Sequence, residues 1–489
     1  MFTSNHQFTQ TVQMRILSDD QLNDIIQHAF LIIESTGFKI QKEEAQSMLQ
    51  KAGARIEEDL AYIPRSIVQE CIKSCPRGIP ICNRLGESAM KLWGSNVHYG
   101  TSTASPNTRD ALTGEIHPTR IEDIAIGAKL ADALPNIDFV MPFGSAQDVN
   151  PKVADLHEFE AVVNNTTKPI AFCSYSSKGM EVVFKMAAEF VGGANQLKSK
   201  PFIISYPEPI TPMLYPEETI DKMFVSADWG IPQITCAGGQ LGATAPVTLA
   251  GALIQQVAEA MMSITLVQLH KPGAPIFFAS NFSPFDMKSG LMSMAAPEGN
   301  LLTGAMAEIA RFFGLPSWGL AGATDAKELD AQAGMDSAFS MLSQGMAGIN
   351  MIHDLGYMDG GMVCSANMLV LGNEAAGSVK HFVGGISTTE EQLACDVIQK
   401  VGAGGNYLQE KHTHKYFKQI WYPELLTRES SSAWQASGSK SMEEKCNEKI
   451  RHILENHEPV ALKEEIQQRL KQIKAEGEQE IIANVNLTD

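Results

Sequence analysis

The strongest constraint on the fold is one pattern that recurs from about residue 96 onward: a short β-rich run, a loop of small and polar residues, and an amphipathic helical stretch. Strands that alternate with helices in this way predict parallel pairing through helical crossovers. Eight such units over roughly 250 residues is the number and length expected of a closed (β/α)8 TIM barrel. The predicted strands are residues 97–101, 137–143, 169–175, 202–206, 233–237, 275–280, 318–321 and 349–353.

The predicted helices between these strands include residues 121–134, 180–190, 217–229, 247–269, 301–313 and 336–346. We expect the barrel to span residues 96–385, after a mainly helical region at 1–95 and before a helical extension at 386–489. A doubly wound open sheet is the alternative fold. It is disfavoured because no G-x-G-x-x-G fingerprint follows the first strand.

Charge and hydropathy exclude several classes of function. With 56 acidic and 38 basic residues the formal net charge is −18, which repels nucleic acid and anionic membrane surfaces. Polar residues such as Gln256 and Glu259 interrupt the longest apolar stretch, 247–269, which predicts a buried helix rather than a membrane span. The first 17 residues contain no apolar signal core, so we expect a cytoplasmic protein.

In a barrel of this kind, the reacting groups project from the C-terminal ends of the strands. The polar and aromatic residues at these predicted ends are Tyr99, Ser102, Phe143, Gln147, Ser174, Tyr175, Tyr206, Glu208, Gln240, Asn281, Phe282, Thr324, Asp325, His353, Asp354 and Tyr357. They include no lysine for a Schiff base, no nucleophile elbow and no cluster of metal ligands, so we expect no tightly bound metal or nucleotide.

A mouth that is rich in aromatic and amide side chains and poor in Lys and Arg suits a cationic or quaternary ammonium ligand. The candidates for an aromatic surround are Tyr99, Phe143, Tyr206 and Phe282, and Asn281 and Gln240 are the candidate amides. The alternative interpretation is that these aromatic rings only fill the top layer of the barrel.

Specific motifs appear in the last third of the chain. Residues 317–319 (SWG), 323–334 (ATDAKELDAQAG), 347–350 (AGIN) and 369–374 (LVLGNE) together resemble the trimethylamine methyltransferase family, and the similarity extends over most of the chain. The resemblance implies a (β/α)8 barrel that passes a methyl group to the Co(I) corrinoid of a separate partner protein. Trimethylamine enzymes of this family carry pyrrolysine after the eighth strand.

At that position this sequence has Gly360 and Gly361, within residues 358–362. It therefore resembles the branch without pyrrolysine, whose members demethylate quaternary amines, and the resemblance implies glycine betaine as substrate and dimethylglycine as product. Proline betaine and carnitine are alternatives. A non-catalytic betaine-binding barrel is the alternative of another class. A quaternary ammonium already has a neutral amine as its leaving group, so positioning and desolvation can replace a covalent catalyst.

Three residues follow from this interpretation as further substrate-binding candidates. His353 is the expected donor to a betaine carboxylate, and Asp354 or Glu374 is expected to offset the ammonium charge. The corrinoid would arrive with the partner protein. The sequence leaves a homo-oligomer open.

Overall fold

Eight parallel strands form a closed ring in the computed structural model, which describes residues 12–279 and 281–485. In order they are His98–Thr101, a segment bridged at Phe139 and Val140, Ile170–Phe172, Ile203–Ser205, a segment bridged at Gln233, a segment bridged at Ile276 and Phe278, Trp318–Leu320 and Met351–Leu355. Each pairs with the next, and the last pairs with the first. The predicted TIM barrel is thus confirmed, and the alternative of an open sheet is wrong. Residues 1–11, Ser280 and residues 486–489 lie outside the described residues.

A helix follows every barrel strand. These eight helices are Ile121–Ala133, Ala154–Asn165, Ser177–Val191, Glu217–Trp229, Leu249–His270, Pro297–Phe313, Ala331–Ala347 and Ala366–Val383, with a short additional helix at Ala194–Ser199. Six of them match the predicted windows, and the other two, after strands two and eight, were not predicted. Helix Leu249–His270 is long and apolar enough to cross a membrane, but 78% of its apolar window is buried inside the protein.

Short strands decorate the mouth, by which we mean the opening at the C-terminal ends of the barrel strands. Strands Gly238–Leu241, Asn281–Asp286 and Leu291–Met292 form one small sheet. A second small sheet consists of strands Tyr357–Met358, Val363–Ser365, Asn107–Arg109 and Ile116–Pro118. A 3-10 turn at Asp359–Gly361 connects the first two of these strands. These elements are part of the loops in which a TIM barrel normally places its functional residues.

The opposite end of the barrel is closed by a hairpin of strands Ile79–Cys82 and Ser88–Leu92. The apolar side chains of the hairpin join those of the barrel interior in one buried cluster. The amide of Cys82 donates to the Pro201 carbonyl and that of Arg84 to the Thr167 carbonyl, just before strands four and three begin. The hairpin therefore seals the N-terminal end of the barrel.

The rest of the N-terminal region combines helices with a small sheet. Helices Asp19–Ser35, Glu43–Ala52 and Arg65–Ser74 accompany strands Phe38–Ile40, Arg55–Glu57 and Leu60–Tyr62, and strand Leu214–Tyr215 joins this sheet from the barrel. Helix Asp19–Ser35 begins with a capping box between Ser18 and Gln21. The sheet was not predicted because runs of three residues carry no readable period.

The C-terminal extension consists of helices Glu390–Leu393, Cys395–Val401, Lys411–Tyr416, Ser431–Ala436, Met442–Asn456 and Glu464–Val485, with a 3-10 turn at Phe417–Gln419. The last two pack on the outside of the barrel, against helices Ala366–Val383 and Ser177–Val191 respectively. Ion pairs such as Lys178 with Glu480, at 2.7 Å, border the second contact. Many of the charged residues of this region lie on solvent-facing helix surfaces.

Candidate active site

A bulge in the last barrel strand places two polar residues together at the mouth. Ile352 pairs with Tyr99 and Leu355 with Thr101, so His353 and Asp354 together face a single residue of the first strand. Asp354 has a φ of 88°, an unusual backbone conformation for a residue other than glycine. Bulges of this type redirect side chains and are common next to active sites.

Three rings pack together inside the barrel below this bulge, and we call Tyr206, Trp318 and His353 the ring cluster. His353 stacks on Trp318 with ring centroids 4.4 Å apart and planes 16° apart. Tyr206 meets Trp318 at 5.6 Å and the His353 ring edge-on at 6.4 Å. Trp318 is 1% exposed, whereas Tyr206 and His353 are each 6% exposed, so Trp318 forms the floor of the cluster and the other two its upper edge.

A buried carboxylate adjoins the ring cluster. Oδ1 of Asp354 lies 2.5 Å from Nδ1 of His353, an ion-pair contact when the imidazole is protonated. Among the described residues neither oxygen of Asp354 has a hydrogen-bond partner, although the side chain is fully buried. Nε2 of His353 lies 3.4 Å from the amide nitrogen of Asn281. Burial of a carboxylate is costly unless a charge or a hydrogen bond compensates it, and here the His353 imidazole is the group in contact with it.

Two further charged residues lie higher in the mouth. Glu208 follows Tyr206 by two residues, and its side chain is solvent-exposed although protein atoms surround it closely, as expected for a group that lines a concave opening. Burial raises the pKa of the Glu208 carboxyl, while the charges of Lys222 and His353 act in the opposite direction. Lys222, on helix Glu217–Trp229, donates to the Ser174 carbonyl at 3.2 Å, at the end of the third strand.

A pair of buried acids supports the loops after strands two and three. Glu158 accepts from the Ala146 amide at 2.9 Å and from the Tyr175 hydroxyl at 3.3 Å, and Asp155 accepts from the Tyr175 amide at 3.2 Å. Burial raises the pKa of Glu158 to about 7 and that of Asp155 to about 6. These acids position the rim of the mouth rather than line it.

We expect Glu158→Gln to remove a pH dependence of stability. Because the folded state raises the pKa of Glu158 from 4.5 to about 7, the folded protein binds the proton more tightly, and the free energy of unfolding falls as pH rises through this range. Urea denaturation should therefore show the variant gaining about 2–3 kcal/mol relative to wild type between about pH 5 and about pH 8. The exposed Glu298→Gln variant should show no such gain, and an equal gain in both would contradict the assignment.

Four of the predicted substrate-binding residues lie away from the mouth. Tyr99 is fully buried between the barrel and the outer helices, with its hydroxyl donating to the Met341 carbonyl at 3.2 Å. Phe143 packs against Gly127 on the first barrel helix, and Phe282 belongs to the buried cluster of the outer helical layer. The structure therefore does not bring these three rings to the ring cluster, because each of them faces away from the barrel axis.

Glu374 is the fourth. Its carboxylate accepts the backbone amides of Glu424, Leu425 and Leu426 at 3.0 to 3.3 Å, so it anchors the C-terminal extension instead of offsetting a ligand's charge. Gln240 is half-buried, and its carbonyl accepts three amides of residues 243–245, which makes it part of a tight turn after strand five.

The structure does bring Tyr206, Asn281, His353 and Asp354 together. Trp318 and Lys222 were not among the predicted site residues. The signal for Trp318 was its place in a barrel strand beside a glycine, whereas Lys222 sits on a helix, where no strand-end rule points to it.

Gly360 and Gly361 lie in the loop over the mouth. Both have positive φ, 62° and 91°. Ser105 donates to the Gly361 carbonyl at 2.7 Å, and a Cβ on Gly361 would come within 2.9 Å of Met294 Sδ. The local backbone thus requires glycine. Within residues 12–279 and 281–485, no group of three or more His, Cys, Asp or Glu side chains is placed to hold a metal ion.

Known proteins are similar to this protein over almost the whole chain. Residues 3–481 match the family described as trimethylamine methyltransferase (MTTB). The trimethylamine methyltransferase MttB of Desulfitobacterium hafniense (strain DSM 10664 / DCB-2) is 31% identical over 465 residues, 95% of this chain and 94% of the relative. The glycine betaine methyltransferase of Desulfitobacterium hafniense (strain Y51) is 30% identical over 469 residues, 95% of this chain and 98% of the relative.

Among solved structures, the monomethylamine methyltransferase MtmB of Methanosarcina barkeri matches with a TM-score of 0.53 and 10% identity, over 97% of this chain and 90% of that one. At this identity the match concerns the fold alone, and it agrees with the barrel described above.

Proposed function

The chain belongs to the trimethylamine methyltransferase family, and we propose that within it this protein transfers a methyl group from glycine betaine to the Co(I) corrinoid of a partner protein. The broad activity, methyl transfer from a methylated amine, follows from the family. The proposal concerns the substrate and the acceptor.

The observation that carries the proposal is the ring cluster with the buried carboxylate beside it. A quaternary ammonium cannot donate an N–H hydrogen bond and is therefore recognised by aromatic faces and negative charge. Tyr206, Trp318 and His353 offer the rings, and Asp354 offers a fully buried acidic side chain next to them. Each well-placed ring contributes about 0.5–2 kcal/mol.

The chemistry required is a displacement at carbon. The N–CH3 bond of the ammonium breaks and its electron pair stays on nitrogen. The product is dimethylglycine, in which the amine is neutral and the carboxylate is unchanged. The electron pair of Co(I) forms the new bond to the methyl carbon. The protein's task is to hold the N–CH3 bond in line with the acceptor and to exclude water, which can supply much of the rate.

The glycine pair in the loop over the mouth supports a quaternary amine over trimethylamine as the substrate. Gly360 and Gly361 stand where the resemblance places pyrrolysine, so the chain lacks that group. A tertiary amine is a poor methyl donor without activation, whereas a quaternary ammonium needs none. His353 remains the proposed donor to the betaine carboxylate through Nε2, which is directed away from Asp354; in this role Nε2 carries the proton and does not accept from the Asn281 amide, 3.4 Å away.

The proposal is tested by mixing the protein with cob(I)alamin and following methylcob(III)alamin spectroscopically. Glycine betaine, choline, carnitine, proline betaine and trimethylamine are supplied in parallel. We expect methylation from glycine betaine, with dimethylglycine as the second product, and none from trimethylamine. Methylation from trimethylamine would contradict the proposal. So would methylation from none of the five, and methylation only from proline betaine or carnitine would replace the substrate.

A further inference from the structure

Glu208 and Lys222 are two opposite charges in one mouth that the methyl transfer step does not use. Glu208 lies two residues beyond a member of the ring cluster, and its backbone is held by the Thr219 hydroxyl, which donates to the Glu208 carbonyl at 3.0 Å. Thr219 and Lys222 both lie on helix Glu217–Trp229, so the helix that carries Lys222 also holds the backbone of Glu208.

The two charged groups do not neutralise each other by direct contact. Among the described residues no ion pair joins them, and the Lys222 ammonium instead donates to the Ser174 carbonyl at 3.2 Å. Lys222 nevertheless interacts electrostatically with Glu208, and Glu208 does so with His353. The pair is thus an acidic group two residues beyond Tyr206 and a basic group beside the end of the third strand, close enough to interact electrostatically but not joined by an ion pair.

We propose that Glu208 and Lys222 make this site selective for zwitterionic quaternary amines, with Glu208 facing the ammonium and Lys222 facing the carboxylate. The inference rests on the proposed function and deepens it by assigning the substrate class to two residues. Glu208 takes the role that Glu374 does not have. Lys222 is a second donor to a carboxylate whose first donor is His353.

The geometry explains why a lone acid would not suffice. A site with only Glu208 and the ring cluster would bind choline as well as betaine, because both present the same trimethylammonium group. Without Lys222, the carboxylate one methylene away would have His353 as its one donor, in the mouth of a protein with net charge −18. Lys222 reverses the local sign at that point, so the dipole of the ligand matches the dipole of the site.

The test measures binding by calorimetry without any corrinoid, so it is independent of methyl transfer. The probes are glycine betaine, a zwitterion, and choline, a cation. Glu208→Gln should weaken both by about tenfold or more, since each loses an ionic partner. Lys222→Met should weaken glycine betaine by about tenfold and leave choline unchanged or tighter. Lys222→Arg should restore the preference for betaine.

The controls remove the same charges from exposed residues at the same end of the barrel. Glu298→Gln and Lys288→Met both alter exposed residues, and we expect wild-type affinities for both probes. The inference is overturned if Glu208→Gln changes affinity no more than Glu298→Gln does, or if Lys222→Met weakens both probes alike. It is also overturned if the wild-type protein binds neither probe. If wild type binds betaine with the expected variant pattern but transfers no methyl group, the inference stands and the proposed function fails.

Discussion

Replacing His353 with phenylalanine is expected to raise the KM for glycine betaine by about 10- to 150-fold, with a smaller change in kcat. Phenylalanine keeps a flat ring that can stack on Trp318, 4.4 Å away in the native protein, but it cannot donate to a carboxylate. The loss of a hydrogen bond to a charged group costs about 1.5–3 kcal/mol, which corresponds to this range. A hydrogen bond that stabilises the ground and transition states equally affects KM rather than kcat when it is removed.

His353→Ala separates the two roles of the side chain. It removes the donor and the ring together, so its KM should rise further than that of His353→Phe, and choline binding should weaken as well. Circular dichroism of both variants checks that the barrel still forms. If His353→Ala left the apparent affinity for glycine betaine unchanged, the assignment of His353 to the carboxylate would have to be abandoned.

Gly356→Ala is expected to destabilise the protein by about 2–5 kcal/mol. Gly356 ends the bulged strand with a φ of 114°, and an added Cβ would overlap the Phe143 ring and lie 3.1 Å from Ser102 Oγ. Backbone strain at positive φ costs about 1–2 kcal/mol, and overpacking of a core adds about 1–3 kcal/mol. The urea denaturation midpoint is the measurement.

Gly192→Ala is the matched control. Gly192 also has positive φ, 87°, but no other atom lies within 4 Å of the position where its Cβ would be built. It should therefore show only the backbone cost, about 1–2 kcal/mol. If the two variants were equally destabilised, the contact with Phe143 would have no energetic weight, and the packing explanation for the glycine would fail.

The barrel could be predicted from the sequence because each of its eight strands combines an apolar run with a following helix of adequate length. The helices after strands two and eight were not predicted, because each of them carries buried polar residues. Ala154–Asn165 includes the buried acids Asp155 and Glu158, which obscure its apolar face, and Ala366–Val383 contains buried polar residues such as Asn373.

The ring cluster was only partly predictable, because the direction of a side chain in a strand depends on register. Tyr99 and Gly100 are neighbours on the first strand, and it is Gly100 that faces the interior, where the Phe139 ring fills the space. A shift of one residue reverses every assignment along a strand. The bulge at His353 and Asp354 breaks the alternation altogether, and nothing in the local sequence announces it.

Glu374 illustrates a different limit. Its motif carries the family resemblance, and its carboxylate binds amides of residues 424–426, some 50 positions further along the chain. Such a long-range structural role leaves no local trace in a sequence. The same holds for Lys222, which reaches the mouth from a helix.

The hairpin that seals the N-terminal end of the barrel has a consequence for the order of events in catalysis. With Ile79–Cys82 and Ser88–Leu92 filling one end, the described part of the chain leaves the mouth as the approach to the ring cluster, and under the proposed function the methyl acceptor approaches there as well. Both reactants thus reach the ring cluster through the same opening. A large acceptor bound at this opening blocks the passage of the small amine in both directions. The amine therefore has to bind before the acceptor, and the demethylated product can leave only after the acceptor dissociates. Steady-state kinetics should accordingly show compulsory-order addition, with excess acceptor inhibiting competitively against the amine.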